Sequence, residues 1–338
     1  MLELFGIISG LVIGLLFGFA LQKGRFCMNS AFRDPLVFKD FTLLKAVFLA
    51  LIIELIGFHV LSYLGSITLA PKSFFILGAI IGGFIFGIGM VIAGGCASGT
   101  AYRVGEGMVA SMLALAAFAS TAYFAKDGFL SGITKTIQQQ DLGKITLSSV
   151  TGIPAWIFVI LVSIIGLYFL FKQKEIMSSE TKKSVFDKVL KSGWNWKVTG
   201  ITIGIIGILA FIFSSFSGRN YSLGITMGFE TIVKSIITGQ NFLTWESYQV
   251  IGLIIGAFIA ALIANELKIR TPPLKMGLQA FFGGILLGLG AIIADGCNIG
   301  HILSGVPQLA ISSIVAGIFI VLGSWSAAYF MFMRGEKQ

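Results

Sequence analysis

"AGGCASGT" at residues 93–100 and "ADGCNIGH" at residues 294–301 are near copies of one glycine-rich sentence, and each holds one of the chain's three cysteines. They lie 201 residues apart and bring their surroundings with them. Gly82, Gly83, Gly87, Gly89, Ala93, Gly95, Cys96 and Gly99 fall in register on Gly283, Gly284, Gly288, Gly290, Ala294, Gly296, Cys297 and Gly300. Each copy sits in an uncharged run too long for one simple membrane crossing, so each run must hold a full span plus a short extra segment, and that segment carries the cysteine. Span, segment, and the same pair again: this is an internal repeat inside a membrane.

Composition agrees. With 56% hydrophobic and 12% charged residues, the chain has too little polar surface to wrap a water-soluble core. A helix needs about 20 mostly apolar residues to cross the hydrocarbon, and the uncharged gaps give nine such spans, near 4–22, 43–62, 74–93, 106–125, 152–171, 198–216, 248–266, 277–294 and 309–332. The fold class expected is therefore an all-α polytopic membrane protein. The first span is expected to stay in the mature chain, since no basic leader precedes it and no cleavage signal follows.

The net charge of +9 reads as a topology signal rather than a nucleic-acid footprint. Of the 24 Lys and Arg residues, 18 fall on one face of the membrane; the other six are Lys72, Lys126, Lys135, Lys144, Arg219 and Lys234. Basic residues concentrate in cytoplasmic loops, so the N-terminus is expected outside and the C-terminus in the cytoplasm. The lysine-rich stretch 172–197 reads as a solvated cytoplasmic loop, and residues 127–149 as an external one.

The halves also match at their first spans, where "GIISGLVIGLLFGFALQKGRF" (6–26) lies against "GITIGIIGILAFIFSSFSGRN" (200–220). Spans one to four form a first repeat, residues 1–126. Span five and its flanking loops fill 127–196, and spans six to nine form the second repeat, 197–338. One odd connecting span turns the second repeat upside down, which places a pseudo-two-fold axis in the membrane plane. Inverted repeats with broken helices are a transporter design that holds substrate near the midplane. The broken segments expected are 26–32, the part after Gly95, 222–229 and the part after Gly296. Parity starts Cys27 and Cys96 toward the cytoplasm and Cys297 toward the exterior, as successive stations on one path.

Gly82, Gly83, Gly87 and their partners read as close helix packing. Gly94, Gly95, Gly99, Gly296 and Gly300 flank thiols at span ends, where irregular backbone is tolerated only if buried or lining a cavity. A glycine-rich turn that opens a helix exposes N–H groups carrying roughly half a positive charge, and two facing ends suit a small oxyanion. Candidate binding residues are Cys27, Cys96 and Cys297 with Gly95, Ala97 and Gly296, joined by the neutral donors Ser98, Thr100, Asn29 and Asn298. A thiol is a weak, polarizable partner, so three of them point to a soft atom such as sulfur. A disulfide staple would leave one cysteine over. With no Cys-x-x-Cys and two histidines, the chain also lacks the spacing of a metal site, and no cofactor is expected.

The segments "GRFCMNSAFRD" (24–34), "GGCASGTAYRVGEG" (94–107) and "DGCNIGHILSG" (295–305) resemble the signature segments of the YeeE/YedE sulfur-transport family, and the resemblance covers nearly the whole chain. It implies an hourglass-like, pseudo-symmetric inner-membrane fold with short re-entrant helices that takes up thiosulfate and is not an enzyme. It also implies that Cys27, Cys96 and Cys297 are essential, passing the ion's terminal sulfur by transient S–H···S hydrogen bonds. A small cytoplasmic TusA-like sulfur-carrier protein is the implied partner. Family members linked to selenium share the motifs, which leaves the exact ion open. This sequence departs from the family pattern at Asp295, Ile302 and Leu303, where smaller residues are expected.

Around the thiols, Arg25, Arg103, Glu106, Asp295 and His301 are candidate mouth or supporting residues. Arg103 and Glu106 are spaced to pair with each other, and Asp295 needs a proton or a partner such as His301 to sit beside an anion path. Glu54 and His59 are ionisable groups inside a span, which makes them functional candidates by default. The alternatives are a transporter of another sulfur or selenium species, a carrier of a soft metal, and a membrane thiol oxidoreductase, which would need two thiols able to meet.

Overall fold

The computed structural model describes residues 2–172 and 191–334, and its regular elements are helical. Lys174, Lys182, Lys183, Asp187, Lys188 and Lys337 of the expected cytoplasmic segments lie outside the described residues. The first half runs α1 (Leu2–Lys23), α2 (Met28–Val37), α3 (Thr42–Tyr63), α4 (Gly83–Ile92, entered through a π turn at Gly78–Gly82), α5 (Ala97–Gly105) and α6 (Val109–Lys126). Two short helices, α7 (Ser131–Ile137) and α8 (Leu147–Thr151), interrupt the expected external loop, and α9 (Ala155–Lys172) follows. The second half is α10 (Trp196–Phe216), α11 (Thr226–Thr238), α12 (Trp245–Ile263) and α13 (Leu274–Ile293). A π segment (Ile299–Gly305) and a 3-10 turn (Val306–Gln308) then lead into α14 (Ile311–Ala328).

Among the described residues, eight helical stretches are long and apolar enough to cross a membrane, and the fifth expected span appears as a shorter apolar helix, Ala155–Leu170. It begins late because Pro154 disfavours helical backbone at Ile153 before it, and Gly152 takes a left-handed conformation (φ 70°). Span seven differs in the other direction. Charge counting starts it after Glu246, whereas a Thr244–Ser247 capping box starts α12 at Trp245. Glu246 enters the first turn because Arg219 pairs with it.

The two halves interdigitate. The principal neighbour of α1 is α12, of α3 is α10, of α4 is α14, and of α6 is α13; α4 also crosses α13, and α1 crosses α10. Replacing each helix by its counterpart in the other half exchanges α1–α12 with α3–α10 and α4–α14 with α6–α13, and leaves α4–α13 and α1–α10 unchanged. The short elements behave alike: α2 packs on α3 and α14, while α11 packs on α12 and α6.

Of the repeated glycines, Gly82, Gly89, Gly283 and Gly290 lie at the α4–α13 crossing, while Gly83 and Gly87 pack on α14 and Gly284 and Gly288 on α6. A methyl group on Gly82 would strike the backbone of Ala294, and one on Gly283 would strike the backbone of Ala93, the aligned pair with its members exchanged. In a lipid environment, where small residues let backbones meet, this crossing fixes the ends of both spans against each other. It thereby fixes the two cysteine turns that follow.

Candidate functional site

The cysteine turns share one backbone design. After α4, Gly94 N–H donates to Val91 O (3.2 Å) and Gly95 N–H to Met90 O (3.0 Å). After α13, Asp295 N–H donates to Ile292 O (3.1 Å) and Gly296 N–H to Ala291 O (2.7 Å). These are left-handed helix terminations, and Gly94 (φ 72°) and Asp295 (φ 61°) occupy the same backbone position. A short polar side chain tolerates that region better than most. The substitution of aspartate for glycine therefore leaves the turn intact and adds a carboxylate at one of the two turns.

All three thiols are free and buried and belong to one contiguous buried cluster. Cys27 stands at the start of α2 and Cys96 at the start of α5, where the Cys96 sulfur accepts from Gly99 N–H at 3.3 Å. The two sulfurs are 3.8 Å apart, with Ser98 Oγ 3.5 Å from that of Cys96. Sequence parity put both cysteines on one side but did not bring them into contact. Their meeting brings the start of α2 and the start of α5 together, so two sets of first-turn N–H groups, with Ala97 and Ser98 in one of them, converge on the pair. Gly99 is what permits it, because a methyl group there would lie 2.5 Å from the Cys27 sulfur.

Cys297 lies elsewhere, at a pocket that neither Cys27 nor Cys96 lines. It lines this small pocket with Gly296, Gly300, Tyr221 and Thr226, the first residue of α11. The start of α11 and the start of the Ile299–Gly305 segment thus face the same space. Gly300, the counterpart of Gly99, has nothing within 4 Å of an added methyl group. This pocket adjoins a second, lined by Lys72, Lys126, Thr226 and Asp295, and an open cleft bordered by Lys72, Lys144 and Asp295. Lys72 is common to all three. Its ammonium donates to the Asp295 carbonyl, lies 3.7 Å from the Asp295 carboxylate and sits over the Tyr221 ring.

Asn29 and Asn298 follow their cysteines by two residues and one residue. Each side chain is completely buried, and both its amide oxygen and its amide nitrogen lack a protein partner. Thr100 Oγ1 and Thr226 Oγ1 are likewise buried and unpaired. An unmade hydrogen bond on a buried group costs about 1–3 kcal/mol, so these four side chains keep hydrogen-bonding capacity that no protein group uses.

Several expected roles change. Glu106 pairs with Arg25 (2.6 Å), not with Arg103, and Arg25 also pairs with Glu266 (2.7 Å). Gln22 Nε2 donates to both carboxylates, at 3.3 and 2.6 Å. Arg103 lies in the last turn of α5 and folds back onto the Gly94 carbonyl, where it braces the cysteine turn from behind. Asp295 does not pair with His301. The imidazole bridges Ala294 O (2.9 Å) and Ser313 Oγ (3.1 Å). His59 bonds its own helix at Leu55 O (2.9 Å) beside Trp156, a packing role. Lys72, Tyr221, Thr226 and the Arg25–Glu266 contact were not read from the sequence. Lys72 falls outside the repeated segments, and only its charge distinguished it.

The family profile described as sulphur transport matches residues 23–326. The chain is similar to the thiosulfate transporter TsuA of Spirochaeta thermophila, 41% identical with 96% of this chain and 99% of that protein covered. It is similar to the thiosulfate transporter TsuA of Escherichia coli K12, 31% identical with 98% and 96% covered. A shorter similarity, 35% over 95 residues, joins 28% of the chain to 24% of the probable transporter YedE of Escherichia coli K12.

Proposed function

The chain belongs to the sulphur-transport family, and from that premise we propose that it takes up thiosulfate across a membrane along a path lined by Cys297, Cys96 and Cys27. It is a transporter rather than an enzyme. One observation carries the path: each station combines a buried thiol, converging helix starts and an asparagine amide with no partner of its own. Thiosulfate has a soft terminal sulfur and hard oxygens. The thiols suit the sulfur through S–H···S contacts, while the amides, the backbone N–H groups, Ser98 and Thr226 suit the oxygens. The ion stays chemically unchanged.

Lys72 draws the anion into the outer vestibule, Cys297 receives it, and the Cys96–Cys27 pair takes it next. Arg25, held by Glu106 and Glu266, closes the path beyond that pair, and Arg103 and His301 hold the two turns in shape. Residues 1–126 and 197–338 act as inverted repeats joined by 127–196, a reading supported by the reciprocal helix pairing. The protein works in the inner membrane with its N-terminus outside and its C-terminus in the cytoplasm, as the basic-residue bias supports. A TusA-like carrier on the cytoplasmic side is its proposed acceptor.

The test is uptake of labelled thiosulfate by vesicles containing the purified protein, with sulfate, sulfite and selenium oxyanions as competitors. Cys96→Ala and Cys297→Ala abolish uptake while the protein still inserts, and full uptake in either variant would remove the cysteine path. Serine at these positions, a donor to oxygen but not a soft partner, lowers uptake as alanine does. Thiol-blocked mass spectrometry during turnover finds three free thiols; a disulfide between Cys27 and Cys96 would instead favour redox chemistry.

A further inference from the structure

Glu54 lies well inside α3 and is completely buried, and neither carboxyl oxygen has a hydrogen-bond partner. It packs against Gly207 of α10, where any added side chain would collide with its Oε1. The Gly207 carbonyl accepts from Ser222 Oγ at 2.6 Å, and Gly224, two residues on, lines the Cys297 cavity. One layer of backbone therefore separates this carboxyl from the wall of the outer station. The elements packed on α3 are α10, α9, α2 and the turns over residues 299–308. Their described titratable and charged groups are Lys197 on α10, Tyr168 and Lys172 on α9, Arg33 and Asp34 on α2, and His301; α3 itself adds Lys45, His59 and Tyr63. None of these is joined to Glu54 by a hydrogen bond or an ion pair.

The counterpart in the other half is informative. Glu54-Leu55-Ile56-Gly57 falls on Gln249-Val250-Ile251-Gly252 of α12, and Gln249 is also completely buried, its Oε1 accepting from Gly224 N–H at 3.4 Å. A glutamine is the neutral isostere of a protonated glutamate. The position thus accepts a neutral side chain of this shape in both halves, and only Glu54 can give up a proton.

We propose that Glu54 is the proton-binding site of the transport cycle, so that a proton moves inward with the anion. This rests on the reading that the chain carries thiosulfate. An ionised carboxylate without donor or cation at this depth is strongly disfavoured, so Glu54 holds its proton in the arrangement described. The inside-negative membrane potential opposes influx of a dianion in proportion to its charge, and one accompanying proton cancels one of its two charges. The proton bonds a Glu54 oxygen from external water and leaves to cytoplasmic water after the anion has crossed; no bond in thiosulfate changes. Once ionised, the carboxylate cannot remain against Gly207, so deprotonation displaces the Gly207–Ser222 wall and resets the outer station.

The test uses vesicles that contain the parent protein, a trapped pH dye and an imposed pH gradient, acid outside. Thiosulfate drives proton movement into the lumen, and each pH unit raises the accumulation ratio about tenfold for one proton per anion. In Glu54→Gln, exchange of internal for external thiosulfate persists while the response to the gradient disappears. A Glu54→Gln protein that responds as the parent does overturns the proposal. Parent uptake without proton movement overturns it too, and that measurement decides even if the variant fails to insert. Such a result leaves the thiosulfate reading standing, whereas no thiosulfate uptake by the parent overturns both.

Discussion

Lys72 stands between a half-exposed carboxylate and a buried thiol: its ammonium reaches the Asp295 backbone and side chain on one side and the mouth of the Cys297 cavity on the other. An incoming dianion competes with Asp295 for this cation. A charge-assisted hydrogen bond contributes about 1.5–3 kcal/mol, so Lys72→Gln is expected to raise the KM for thiosulfate roughly tenfold or more while changing the maximal rate little. Lys72→Arg recovers part of the loss. Asp295→Asn removes the internal competitor and keeps a side chain that tolerates the left-handed backbone, so it lowers KM. Initial uptake rates across a range of thiosulfate concentrations separate these effects from a folding defect, which would lower the maximal rate instead. A KM unchanged in Lys72→Gln would confine this residue to bracing the Asp295 turn.

At the scale of elements, the aligned glycines Gly99 and Gly300 open the same kind of segment but sit in different surroundings. A methyl group at Gly99 would enter the space shared by the Cys27 and Cys96 sulfurs, whereas at Gly300 it would meet open space. Gly99→Ala is therefore expected to lower uptake at least about tenfold, equivalent to ~1.4 kcal/mol, and Gly300→Ala to leave it close to the parent, with thermal unfolding in detergent checking that both fold. Equal losses would mean that the two stations are equally tight. The turns themselves were legible in the sequence because their physical demands are local: Gly94 serves a left-handed termination that Asp295 also tolerates in the second half, and Gly82 and Gly283 serve a backbone crossing that needs glycine in both halves. The short helices α2 and α11 were less legible. Counting uncharged gaps finds full crossings, and α2 carries Arg33, Asp34 and Pro35 within it. The ion pairs were not legible at all, since Arg25 meets Glu106 across 81 residues and Lys72 meets Asp295 across 223. The nearest charged neighbour in sequence, Arg103 for Glu106, was the wrong partner.

The whole molecule is asymmetric in access although its helix pairing is reciprocal. One side opens through adjoining cavities to Cys297. On the other, Arg25, two residues before Cys27, ties the end of α1 to Glu106 after α5 and to Glu266 after α12. Arg25 is about half exposed, so each of its contacts contributes little alone, but together they join three elements across the exit that the proposed path requires. A small anionic methanethiosulfonate reagent resembles the substrate in charge and sulfur chemistry, so it reports access at each thiol. With Cys27 and Cys96 replaced by serine, Cys297 is expected to react from outside in intact cells, and excess thiosulfate to slow that reaction. With Cys297 replaced instead, Cys96 reacts slowly from either face. Adding Glu106→Gln and Glu266→Gln unties Arg25, so Cys96 becomes reactive in inside-out vesicles. In the same double replacement, Cys297, where it is retained, reacts more slowly from outside, because opening one end of an alternating carrier closes the other. If Cys297 keeps its outside rate while Cys96 gains reactivity inside, the two ends open independently and the protein conducts as a channel. If Cys297 reacts only in inside-out vesicles, the orientation drawn from the lysines is reversed and the Lys72 vestibule faces the cytoplasm.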